Sequence, residues 1–238
     1  MRKFLALVCA FLFLLPVLSA CGKLTEGDGT GGEGESTTLE QGPEVDLDGE
    51  SPVALLDRGA TPLVEVGPFK ISAEFIKTYL KWYIIHNGAT ITERAAAYEI
   101  AALYYAERGL AGTDQALTKE TVQALLDEQE ADFAANKEDN EFYCEKLGLT
   151  KQEFMDFAAI GEVQSLLNAR FSGKIYAMME QSYQSKHNGE GSAADISAYY
   201  PEYLQIFVRR LEFKELDANG LESIRKDIEA WVDSKIEG

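Results

Sequence analysis

Apolar side chains at Phe75, Ile76, Tyr79, Leu80 and Tyr83 recur every three or four residues, the spacing of one helical face. The pattern predicts a helix over 73–87, and Ser72 stands where a side-chain oxygen caps a first turn. Further down the chain, Thr92 caps a predicted helix over 93–108, rich in Ala and Tyr and closed by Gly109. So many small residues imply a central helix with close neighbours. Thr118 caps a third helix, over 119–135, with Val122, Leu125, Leu126 and Phe133 on one side. A short helix over 139–147 stops at Gly148. Thr150 and Glu153 then form a capping box that starts a long helix over 151–186. Phe154, Phe157, Val163, Leu166, Leu167, Phe171 and Tyr176 are its packing residues, and Gly161 and Gly173 are places where it can bend. Residues 187–197 read as a polar linker. Pro201 suits the first residue of another helix, and a last amphipathic helix covers 220–236.

Two segments alternate instead. Residues 62–71 read as extended with a turn at Gly67-Pro68, and 211–216 alternate apolar and charged residues as a strand does. Alternation in both is one reason to expect Leu63–Val66 to pair with Leu211–Leu216; a family resemblance is the other. The fold class is therefore mainly α: a helical domain over 61–238, with a small two-stranded ribbon joining its start and end.

The first sixty residues are different material. Arg2 and Lys3 precede an apolar run over 4–18, and LSAC at 18–21 places small residues before Cys21. This is the three-part form of a secretory signal. The run is about 15 residues, short of the roughly 20 that span a bilayer. Residues 22–52 hold eight Gly, nine acids and one Lys, with four large aliphatics. Such a segment buries too little apolar surface to offset ordering entropy. Residues 21–60 are expected to be a disordered acidic tether. Removing Arg2 and Lys3 with the leader moves the net charge from −18 to −20. That surface repels nucleic-acid backbones and anionic headgroups. With Cys9 in the leader, and Cys21 acylated as a resemblance of the junction to bacterial lipoproteins implies, Cys144 would be left alone and no intramolecular disulfide is expected in the mature chain. Its apolar neighbours Phe142, Tyr143 and Leu147 favour a buried thiol.

No nucleophile elbow, P-loop, CxxC, HExxH or dinucleotide fingerprint occurs, so no catalytic residues, metal ligands or cofactors are assigned and the chain is read as a non-enzyme. Two acidic stretches resemble calcium loops, but Leu55 and Lys226 fall where the bidentate Glu belongs. His86 and His187 each end a helix, where a cation is favourable. The aromatic set Phe75, Tyr79, Trp82, Tyr83, Tyr98, Tyr104 and Tyr105 crowds the first two helices. Core is one reading of it, and a groove for unfolded chain is the other. Trp82 lies off the apolar stripe and is expected to be the most exposed. Tyr79, Trp82 and Tyr83 are candidate client-binding residues. Met178 and Met179 join them as soft groove-lining residues, with helix packing as their alternative.

Two resemblances follow. The LSAC junction resembles the lipobox of bacterial lipoproteins, which implies cleavage before Cys21 and a diacylglycerol on its sulfur. A plain signal peptide is the alternative. The stretches VEVGPFKISAEFIKTYL (64–80), AALYYAERGLAGTDQALTKETVQALL (101–126), EKLGLTKQEFMDF (145–157) and YLQIFVRRLEFKEL (203–216) occur in an order that resembles the N-terminal domain of the SurA/PrsA-type extracytoplasmic foldases, and more loosely trigger factor. Where those foldases carry a parvulin isomerase module, this chain has only the 187–197 linker. The resemblance implies a SurA N-terminal-like chaperone domain without isomerase. The expected protein is a lipoprotein anchored at the extracytoplasmic face of the cell membrane. It would hold unfolded or partly folded secreted proteins without catalysis. The alternative is an adaptor binding one folded envelope partner. Neither reading specifies an oligomeric state.

Overall fold

Four predicted caps sit at the heads of their helices. Ser72 accepts a hydrogen bond from the Phe75 amide (3.1 Å), Thr92 from Ala95 (3.1 Å) and Thr118 from Thr121 (3.2 Å). Thr150 and Glu153 complete both halves of their box. Each side-chain oxygen satisfies an amide that the first helical turn leaves orphaned. The computed structural model describes residues 42–217 and 219–236. In it α1 spans Ala73–Asn87, α2 Glu93–Leu110, α3 Lys119–Ala135, α4 Lys137–Leu147 and α5 Lys151–Lys186. Gly88 and Gly148 close α1 and α4 in the left-handed conformation at φ 62° and 61°. Among the described residues, no helix is long and apolar enough to cross a membrane.

Three boundaries differ from expectation. Gly109 does not end α2, which runs on to Leu110. A Cβ at 109 would lie 2.2 Å from the Phe171 ring, so this glycine serves the close crossing of α2 over α5. The polar linker contains a helix, α6 (Ala193–Ala198), with a Ser192–Asp195 capping box and a buried Ile196. Six residues hold too few apolar positions for periodicity to register. Asn136 serves as both the end of α3 and the start of α4. Beyond α6 come α7 (Tyr200–Val208), with Pro201 in its first turn, and α8 (Gly220–Ile236).

The expected pairing of the domain's start and end is present, but the ribbon has three strands. β1 (Pro62–Val66) is central, between β2 (Phe69–Ser72) and β3 (Phe213–Glu215), all antiparallel. Val64 faces Glu215, Glu65 faces Lys214 and Val66 faces Phe213. The second strand arises because the chain turns back at Gly67 (φ 57°) and pairs with itself. α2 lies under the sheet, its Tyr104 ring stacked on Phe69 at 5.2 Å. Ala96, Ala97, Ala101, Ala102 and Ala106 are buried along α2, which makes it the central helix its composition implies. α1, α5, α7 and α8 all pack on it.

The folded body also begins earlier than expected. The predicted tether over 21–60 is corrected from residue 42 onward; its part over 21–41, the leader 1–20 and Cys21 lie outside the described residues. A 3-10 helix at Pro52–Leu56 is capped by Ser51 and buries Val53 and Leu56 completely or nearly so. Val45 and Leu47 lie against the core. Arg108 donates to the carbonyls of Asp46 (2.9 Å) and Asp48. Few apolar residues suffice here because α2, α3 and α5 have already formed the groove that receives them.

At the centre of this strap, the Ser51 hydroxyl donates to Glu107 Oε2 at 2.6 Å, and Glu107 is 2 % exposed. Ser51→Ala is expected to cost about 1–3 kcal/mol, since it strips a buried carboxyl of its donor. Urea unfolding checks it. Burial raises the Glu107 pKa above its ordinary 4.5, more than the Ser51 bond and Arg108 lower it. A raised carboxyl favours the fold in its protonated form. Its contribution is therefore fullest below pH 4.5 and is lost as pH rises through the elevated value. Glu107→Gln is expected to lose this slope. Its melting temperature relative to the parent should climb as pH rises above 4.5, and a constant difference would refute the assignment.

Candidate functional site

The expected client-binding residues do not form a surface. Tyr79 and Met179 are fully buried, and Trp82 is only 7 % exposed. Tyr83 and Met178 are half-buried and packed against the core. The correction for Trp82 has a clear cause. α1 meets α2, α5 and α8, so a residue off its first apolar stripe is covered by a second neighbour. Trp82 stacks between Tyr79 (5.2 Å) and His86 (4.8 Å). His86 Nδ1 lies 2.9 Å from the Trp82 carbonyl, and burial pushes the imidazole pKa down. The lowered pKa weakens the expected role of His86 as a cation at the helix end. His187 stacks on Tyr183 at 4.1 Å. Among the described residues, no group of three His, Cys, Asp or Glu is placed to hold a metal.

Of the exposed large apolar residues among those described, Leu216 (40 %) and Ile85 (36 %) lie elsewhere, and the other two adjoin on α4. Phe142 is 59 % exposed and Tyr143 38 %, their rings edge to face at 5.7 Å. Cys144 is buried as expected, and burial raises its pKa, but of the neighbours expected to bury it Phe142 and Tyr143 face outward, while Leu147 is half-buried against the core. Asn140 and Cys144, four residues apart, form the inward face, so 142 and 143 fall on the opposite side. The helix is firmly held. Cys144 joins Phe133 and Met155 in a small second core beside Phe154. The Asn140 amide donates to the carbonyls of Phe133 (3.4 Å) and Asp132 (3.5 Å). Trp231 Nε1 of α8 donates to Leu147 O (3.1 Å) and Gly148 O (3.2 Å).

The surroundings of the pair are acidic. Residues 119–147, the α3–α4 hairpin, carry nine acids against three lysines, a net −6. Glu138, Asp139, Glu141 and Glu145 of α4 are all exposed, Glu141 within 3.6 Å of Lys137. An outward aromatic pair ringed by carboxylates can grip apolar side chains and attract positive charge. The sequence signal for it is modest: two aromatics out of phase with the buried 140/144 pair, inside a run of acids.

Two hollows were compared with this surface. One, of about 260 Å³, lies where the 3-10 helix meets the first turns of α1 and α5. Its buried Asp156 accepts from Gln152 (2.9 Å) and pairs with Arg58 (3.4 Å), while Lys77 reaches Asp227 on α8 (2.5 Å). Its charges are engaged with protein partners, and it reads as a structural joint. The other, of about 550 Å³, is an open polar dip at the end of α5 beside His187 and Asp195. Comparison with protein-family models, with curated proteins and with solved structures gave no significant match.

Proposed function

We propose that this chain is a non-catalytic, extracytoplasmic lipoprotein that binds protein through a discrete docking patch on α4, in the manner of an adaptor for one partner of the cell envelope. One observation carries the reading. The aromatic residues of α1 and α2 are taken into the core, while the Phe142–Tyr143 pair is held at the surface on an anchored helix. Single exposed apolar residues are ordinary, whereas contiguous ones rimmed by polar side chains mark interaction sites. The LSAC junction supports a lipid anchor at Cys21. Cys21→Ala is expected to move the protein from the membrane to the soluble fraction or to block its processing. Unchanged fractionation and mature mass would overturn the anchor.

The second reading is a holdase for non-native secreted chains, a SurA/PrsA-type N-terminal domain without parvulin. It is supported by the order of elements and by the β1–β3 pairing of the domain's two ends. Pull-down of the lipidated protein from its own membrane separates the two readings. One dominant partner supports the adaptor. Many clients, together with protection of an aggregating protein in light scattering, support the holdase. Neither outcome in both assays would defeat protein binding altogether.

A further inference from the structure

We infer that the outer face of α4 docks a basic peptide segment with bulky apolar side chains, contributed by a partner protein. The inference rests on the protein-binding reading above and names the chemistry of its partner. Three observations converge on that occupant. The first is the pair itself: Phe142 is the most exposed of the large apolar residues among those described, and it lies edge to face with an exposed Tyr143. The second is register. Glu138, Phe142 and Glu145 share one helical stripe, four and three residues apart, and Asp139 precedes Tyr143 by one turn. An apolar side chain resting on the rings would therefore have carboxylates within reach on both sides. Lysine or arginine also sits favourably over aromatic faces. The third is the field of the hairpin, net −6 over 119–147, which steers cations and repels anions.

The same charge argues against other occupants. A second copy of this chain, at −18 overall, would meet the patch with like charge. So would residues 22–41, with five acids and one lysine, and so would an anionic lipid surface. The docking helix needs no rearrangement to bind, because Asn140, Cys144 and Trp231 already hold it from the other side.

The test is fluorescence anisotropy with the full-length protein and a labelled peptide in which lysine alternates with leucine and tryptophan. One control peptide carries glutamate in place of lysine, and the other carries serine in place of the apolar residues. The lysine–apolar peptide should bind, and both controls should bind at least about tenfold more weakly. F142Q/Y143Q should weaken binding about tenfold with an unchanged melting curve, as expected for exposed residues replaced by a helix former. E138Q/D139N/E145Q should weaken it several-fold and flatten its salt dependence. No binding of the basic peptide, equal binding of the glutamate peptide, or wild-type binding by a folded F142Q/Y143Q would each overturn the inference. If F142Q/Y143Q melts lower, Phe142→Gln alone decides the point. The broader reading fails separately: a membrane partner still captured by F142Q/Y143Q leaves protein binding intact and moves the dock elsewhere.

Discussion

Removing residues 211–238 is expected to unfold the body of the protein, not to trim a tail from it. β3 supplies one edge of the sheet, with Leu216 N donating to Leu63 O and Gly67 N to Glu212 O, both at 2.8 Å. Without it β1 becomes an open edge. Phe213 packs against Tyr98 at 5.6 Å and under the Arg94 guanidinium at 4.4 Å. α8 covers α1 and α2 with Ile224 and Ile228, both buried, and Gly220 sits so close to Leu63 that a Cβ would come within 2.1 Å. Two buried isoleucines alone are worth about 1.5–3 kcal/mol each. With the strand and Phe213 the loss reaches about 5 kcal/mol or more, comparable to the whole stability of a typical domain at about 5–15 kcal/mol. Far-UV circular dichroism should show the truncated chain without a cooperative transition. A melting point within a few degrees of the intact protein's would refute the closing role of this segment.

Phe171→Ala is expected to cost about 3–5 kcal/mol and to lower the melting temperature by roughly 10 °C. The ring is fully buried in the seam between α5 and α2, edge-on to Tyr105 at 6.4 Å and directly over Gly109. The converse substitution tests the same contact. Gly109→Ala gains about 1 kcal/mol of helix propensity but drives a methyl into the ring, and overpacking of this kind costs about 1–3 kcal/mol. The two changes should not add. In a Phe171→Ala background the Gly109→Ala methyl enters vacated space, so the double variant should be more stable than the sum of the singles predicts. Urea titration of the four proteins closes the cycle, and strict additivity would show that the two positions do not meet.

The contrast between these residues and those read from the sequence is physical. Ser72, Thr92, Thr118 and the Thr150–Glu153 box placed four helix starts to the residue, because a cap is a bond between a side chain and an amide three residues away. Gly148 ended its helix for an equally local reason, the left-handed turn. Alternation at 62–66 and 211–216 announced strands, and the pairing of the domain's two ends was expected from that alternation together with the family resemblance. Gly109 carries the same letter as Gly148 yet does the opposite, since its role depends on a ring sixty-two residues away in the chain. Trp82 and Phe142 exchanged the places expected of them. Periodicity defines a helix's first buried stripe, but a second neighbour decides whether another stripe is covered. α1 has such neighbours, whereas the face of α4 bearing Phe142 is left open. The strap at 42–57 shows the limit most plainly. Its composition is that of a solvated chain, and only a groove built by α2, α3 and α5 gives Val53, Leu56 and Ser51 something to bury against. Sequence by itself determined the local elements, their caps and the mainly helical class. Tertiary packing alone decided which apolar residues were left outside, because burial depends on partners that no local window contains.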